Sequence, residues 1–334
     1  MNFTQLPKIE LHCHLDGSVR PQTVLALALQ QGMALPTEDS SEIQALMVAP
    51  PSCPSLIEYL QRFELPISVM QTAEALSRVA FEVLEDAAAE QVRYIEVRFA
   101  PSFHLQQGLG MEQAIAAVLD GMDKAKAQFA IDANLILCGM RGFPIELCHQ
   151  TLKAGQAFLG KGVVAFDLAG REDPGFSKDY VEVCQKAKAM GYRLTIHAGE
   201  TGCAQNVVDA IELLGAERIG HGVYVCQDAQ ALALVKARKV ALEVCPTSNI
   251  QTKAFAEMAR HPVAEFVRDG VAVNISTDNR TVSDTTVTTE LDRVDQAFVL
   301  TIEEYRRIYR ASVAACFATS EIKEGLLALN DHWW

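Results

Sequence analysis

The sequence predicts an α/β chain folded as a (β/α)8 TIM-type barrel. Short β-rich runs alternate with longer helical patterns along most of the chain, as parallel βα units require. From the third run onward a new one begins about every 20–30 residues, which suits consecutive units. Eight such runs fit within 334 residues, and eight strands separated by helices suit a barrel better than a doubly wound sheet.

In chain order the candidate strands are Lys8–His14, Val92–Phe99, Ala133–Cys138, Val163–Leu168, Arg193–His197, Arg218–Gly220, Val240–Cys245 and Ala272–Thr277. Gln113–Phe129 carries Ala, Val and Met at helical spacing, with Asp and Lys on the other face; Lys178–Met190 and Val207–Leu214 behave likewise. The first gap, from His14 to Val92, is too long for one unit. It holds helical patterns at Pro21–Gln31, Leu56–Phe63 and Thr72–Gln91, and a Pro/Ser-rich stretch at Ala49–Ser55. An insertion after the first strand of a barrel lies at the face where barrels do chemistry, so it reads as a lid or pocket wall. Thr301–Leu329 reads as one or two helices outside the barrel. With no repeat or linker to divide it, 1–334 reads as a single domain.

Composition narrows the function classes. A chain that is 49% hydrophobic and 21% charged is neither disordered nor fibrous. Lys and Arg total 29 against 42 Asp and Glu, a net charge of −13, which repels phosphate backbones and anionic membranes. Nucleic acid and membrane are therefore not expected partners. The opening MNFTQLPKIELHCHLDGS lacks the basic leader and apolar core of a signal peptide. Nine cysteines, an odd count without a CxxC pair, point to a cytoplasmic protein with free thiols.

The chemistry starts at His12-Cys13-His14. Alternation along a strand puts His12 and His14 on one face and Ile9, Leu11 and Cys13 on the other. If the apolar set faces the helices, the histidines project into the barrel, where two imidazoles suit a divalent metal. Two separate hydrogen-bonded histidines are the plain alternative. The other strand ends weigh against it. His197 closes the fifth strand, His221 follows the sixth, and Asp278 follows the eighth, so all meet at one barrel mouth. His104, His149, His261 and His332 fall in loops, helices or the tail and read as surface or packing residues.

His12-Cys13-His14-Leu15-Asp16-Gly17-Ser18, His197-Ala198-Gly199-Glu200, Ile219-Gly220-His221-Gly222 and Ser276-Thr277-Asp278-Asn279 resemble, in order, the signature segments of the adenosine deaminase family. Arg93–Phe99, Asp167–Gly170 and Cys245–Asn249 are also similar, and the resemblance runs from about Pro7 to about Thr286. It implies a zinc-dependent aminohydrolase that adds water at C6 of a purine nucleoside and expels ammonia. It assigns one Zn²⁺ to His12, His14, His197 and Asp278. His221 would stand beside the water as base or electrostatic partner, and Asp278 can accept the water's proton. Glu200 would protonate N1, which needs a carboxyl kept neutral by a desolvated pocket. The Gly170 backbone N–H would meet N3, and Asp16 the ribose hydroxyls.

Many members carry a second acid, thought to donate to N7 when protonated, where this chain has Asn279; an amide donates without that requirement. Glu96 and Arg98 share a face of the second strand and read as an interior pair, with Ser248 and Asn249 as supporting polar groups. The cytidine and tRNA-adenine deaminase class is excluded, because its H-x-E and PCxxC signatures are missing. Adenine or aminofutalosine deamination on the same barrel remains the alternative, and a non-enzymatic relative would normally have lost a ligand or the acid.

Overall fold

Eight parallel strands follow one another in chain order around the sheet: β1 (Lys8–His14), β2 (Val92–Phe99), β3 (Asp132–Arg141), β4 (Val163–Gly170), β5 (Arg193–Ala198), β6 (Arg218–His221), β7 (Ala241–Val244) and β8 (Val273–Ile275). This computed structural model describes residues 1–50 and 53–333. Pro51 and Ser52, inside the Pro/Ser-rich stretch, lie outside the described residues, as do Trp334 and the side chain of His332. Each strand pairs with the next in parallel, giving a nearly closed (β/α)8 barrel.

The elements form where apolar periodicity places them. Strand residues such as Ile9, Ile95, Val97 and Leu135 bury against Val79, Val83, Ile115 and Val118 of the surrounding helices in one continuous apolar cluster. The expected insertion contains helices Pro21–Gln30, Ser40–Met47, Leu56–Leu60, Glu64–Val69 and Ala73–Ala89. The tail forms two helices, Ile302–Ala315 and Ser320–Trp333.

Helix Met111–Gln128 crosses Ala73–Ala89 at Gly121, where an added Cβ would lie 2.0 Å from the Ser77 carbonyl oxygen. Backbone cannot yield as a side chain can. Gly121→Ala is expected to lower stability by about 1–3 kcal/mol, the cost of overpacking outweighing the better helix propensity of alanine. Urea titration of both proteins reads this directly, and equal midpoints would contradict it.

β8 is shorter than Ala272–Thr277 predicts, and the reason bears on the site. Ser276 Oγ accepts the Leu11 and His12 amides, both at 3.1 Å, and Thr277 N–H goes to Glu10 Oε1 at 3.1 Å. Side chains thus replace part of the β8–β1 ladder. The β1 register shifts between Glu10 and Cys13. Glu10 accordingly meets Thr277 and Arg280, away from the interior cluster that His12 joins. Simple alternation along β1 therefore holds for the two histidines but not for Glu10.

Charge, not hydrocarbon, fills the barrel beneath the mouth. Arg98 donates to Asp167 at 2.8 Å and Glu243 at 2.7 Å; Arg218 donates to Glu243 at 2.6 Å and Glu96 at 2.5 Å. Glu96 and Arg98 are interior, as expected, but each pairs with these other residues and not with its neighbour. Buried ion pairs add little net stability. Their value here is in orientation, because two of these carboxylates hold site histidines.

Candidate active site

His12 and His14 come from the end of β1, His197 from β5, His221 from β6, and Asp278 from the turn after β8. His12 Nε2 lies 3.2 Å and His14 Nε2 3.4 Å from Asp278 Oδ1, and His14 Nε2 lies 3.2 Å from His197 Nε2. Ligand atoms of His12, His197, His221 and Asp278 all fall within 4.8 Å of one another. Donors about 2.1 Å from a tetrahedral zinc stand about 3.4 Å apart, so this crowding fits a divalent ion.

The donors' other sides agree with that fit. His12 Nδ1 faces Glu243 Oε2 at 2.9 Å, and His197 Nδ1 faces Asp167 Oδ2 at 2.8 Å. Each carboxylate accepts a hydrogen bond from Nδ1–H in the neutral tautomer that leaves an Nε2 lone pair pointing at the cluster. His12 Nε2 is buried and, despite its 3.2 Å approach to Asp278, lacks hydrogen-bond geometry to any partner. Asp278 Oδ2 accepts from Ser248 Oγ at 2.6 Å. Asp278 and His221 both have left-handed backbone, φ 63° and 61°, which is strained for residues with a side chain. The Asp278 turn is held in place because its amide donates to His12 O at 3.0 Å and its carbonyl accepts from His14 N at 2.7 Å.

Glu200 stands on the loop after β5, with its carboxylate 3.7 Å from His221 Nε2. Burial, then the nearby Asp278 and Glu172 carboxylates, push its pKa up to about 8. Glu172 escaped the sequence reading and organises this loop. It accepts the amides of Gly199 at 2.6 Å, Glu200 at 2.9 Å and Thr201 at 3.0 Å, and the Asn206 side chain at 2.8 Å. Asp167 and Glu243 were likewise missed as site residues, although Asp167 begins one of the quoted segments. Nothing local distinguishes any of the three from other strand or loop acids.

These groups open into a cavity of about 660 Å³, lined also by Asp16, Gly170, Asn279, and Leu56, Tyr59 and Phe63 of the insertion, which forms a pocket wall. Asp16 is buried, its Oδ1 has no hydrogen-bond partner, and burial pushes its pKa up to about 6. Gly170 has φ 85°, a conformation suited to glycine. Asn279 packs over Gly17 and donates Nδ2 to Tyr59 OH at 2.8 Å, so one of its two amide protons is engaged. Arg141 and Arg171 also line the cavity, though no cation but Arg20 is near HLDGS in sequence. Arg20 itself turns away to Glu85 and Asp86. His104 is a buried packing residue whose Nδ1 faces Met70 O, whereas His261 contacts Asn249 behind the site.

A sequence profile described as Adenosine deaminase matches residues 7–333. The chain belongs to the adenosine deaminase family. The adenosine deaminase of Shewanella halifaxensis is 54% identical over 327 residues, covering 98% of this chain and 99% of that one. Among solved structures, an adenine deaminase from Arthrobacter aurescens has a TM-score of 0.90 at 26% identity, over 98% of this chain and 99% of its own. An amidohydrolase from Burkholderia ambifaria, with bound Zn, has a TM-score of 0.89 at 26% identity, over 99% and 91%. Adenine deaminase is thus the far more distant likeness. No helix among the described residues is long and apolar enough to cross a membrane.

Proposed function

We propose that this chain hydrolyses adenosine and 2′-deoxyadenosine to inosine and 2′-deoxyinosine with release of ammonia, serving purine salvage in the cytoplasm. The observation that carries this reading is Glu200, an acid kept protonated near neutral pH beside a His/Asp cluster in one cavity. His12, His14, His197 and Asp278 would hold one Zn²⁺. The ion's contribution would be to lower the pKa of water from about 15.7 to about 7.

The residues of the chain do the rest. Glu200 gives its proton to N1, which makes C6 electrophilic. As the C6–O bond forms, Asp278 takes a proton from the adding water and passes it to the amino group. The C6–N6 bond then breaks, ammonia leaves, and the new hydroxyl proton returns to Glu200, restoring the acid and leaving the 6-oxo purine. His221 faces the adding oxygen. Gly170 N–H meets N3, and the Asn279 amide proton not engaged by Tyr59 serves N7. Asp16 accepts from the ribose, whose hydroxyl would satisfy the unpartnered Oδ1. Free adenine lacks that donor, which favours the nucleoside over the adenine alternative. Incubation with adenosine, 2′-deoxyadenosine, adenine and aminofutalosine, followed by loss of 6-aminopurine absorbance, tests the reading; preference for adenine would replace it.

The same placement of Asp16 predicts that AMP is refused. A 5′-phosphate beside an ionised Asp16 would set like charges together, worth about 4 kcal/mol at 4 Å and an effective dielectric of about 20. The cavity's arginines are engaged: Arg141 donates to the carbonyls of His197 and Gly170, and Arg171 pairs with Asp173 at 2.8 Å. Asp16→Asn should raise KM for adenosine and relax the refusal of AMP. Equal turnover of AMP and adenosine by the unaltered protein would remove Asp16 from the sugar end.

A further inference from the structure

We propose that His261 and Asn249 set the tautomer of His221, so that His221 offers the reacting oxygen an N–H donor and not the lone pair of a base. The role in catalysis rests on the deaminase reading above; the tautomer rests on hydrogen bonds alone.

The chain of bonds starts at a group whose polarity cannot change. The backbone N–H of Val263 donates to His261 Nδ1 at 3.2 Å. Nδ1 therefore carries a lone pair, and the ring, being neutral, carries its proton on Nε2. That Nε2 lies 3.2 Å from Asn249 Oδ1, which must accept. Asn249 is then oriented, and its Nδ2 donates to His221 Nδ1 at 3.1 Å. His221 Nδ1 accepts, so the His221 proton sits on Nε2, the nitrogen that faces Glu200. Turning the Asn249 amide over would set N–H against N–H at His261, leaving buried donors unpaired. Asn249, His221 and His261 are all buried, and Phe255 packs on the His261 ring at 5.4 Å, so water does not compete readily for these bonds.

The polarity is opposite to that of the neighbouring rings. His12 and His197 give Nδ1–H to carboxylates and turn lone pairs inward. His221, with its ring centroid 4.9 Å from that of His12, receives an amide proton instead and turns N–H inward. It is thereby removed from the set of metal ligands although its atoms lie inside the cluster, and His14 is left as the third imidazole. The water's proton must then go to Asp278.

Nitrogen-15 NMR of the metal-loaded, full-length protein with labelled histidine tests this, the His221 signals being assigned by their loss in His221→Gln. The expected result is a protonated Nε2 and an unprotonated Nδ1 on His221. His261→Gln keeps a donor near the Nε2 position and should keep the tautomer and most of kcat. His261→Leu releases Asn249, so the tautomers mix and kcat falls about tenfold, less than the about 10²-fold that a fully lost proton-transfer group costs because part of the population keeps the N–H, with KM and metal content little changed. Asn249→Asp, which accepts only, should invert the tautomer and cost about 10²–10⁴-fold in kcat, as wrong-tautomer histidines do. A protonated Nδ1 in the unaltered protein, or an unchanged tautomer and kcat in His261→Leu, overturns the proposal. Failure to deaminate any 6-aminopurine, with the expected tautomer present, removes the deaminase reading and leaves the tautomer assignment standing.

Discussion

Glu200→Gln is expected to fold, retain its metal and lose about 10²–10⁴-fold in kcat, the usual contribution of a general acid. The amide preserves the shape of the side chain, and the Glu172 carboxylate still holds the Gly199, Glu200 and Thr201 amides, so the loop stays formed. What is lost is the proton. The sign of the pH dependence follows from the same residue. With its pKa raised to about 8, the Glu200 carboxyl is protonated and competent below that value and loses activity as pH rises through it. A nearby dication would shift this limb to lower pH without reversing it. The variant should lack the Glu200 limb altogether. Near-normal turnover by the amide variant would show that N1 obtains its proton elsewhere.

His12→Ala should lose metal and turnover together. His12 is fully buried between Glu243 and Asp278, so its removal takes away a ligand and leaves Glu243 Oε2 without the imidazole N–H. That oxygen keeps its bond from Arg98 at 2.7 Å, so the expected stability loss is that of one hydrogen bond to a charged group, about 1.5–3 kcal/mol. Chelation of the unaltered protein separates the two effects. Protein prepared without added metal should hold about one equivalent of a divalent ion, zinc by its donor set. Stripping it should abolish turnover, and adding zinc should restore it while the fold persists. Full activity after exhaustive chelation would contradict the metal assignment.

Much of this site was legible before folding because barrels put chemistry at strand ends. His12, His14, His197, His221 and Asp278 each close or follow a β-rich run, so parallel strands that all run the same way deliver them to one mouth. The carboxylates behind them were not legible. Glu243 is 231 residues from His12 and sits in an ordinary-looking strand, and Asp167 is 30 residues from His197. A carboxylate acquires such a role only by what faces it across the barrel. His261 illustrates the same limit: it read as a surface or packing residue because its partner Asn249 belongs to another segment.

The sequence by itself determined the eight-strand alternation, the insertion after β1, the family and the residues proposed to touch the reaction, because these depend on local periodicity and on the order of short segments along the chain. Only the tertiary structure decided which nitrogen of each histidine faces inward, how Glu200 comes to hold a proton, and that Asn279 is tied to Tyr59 from the insertion. Those properties are set by burial and by hydrogen-bond partners distant in sequence. A lone pair, a tautomer or a shifted pKa belongs to an environment, and that environment exists only once the barrel has closed.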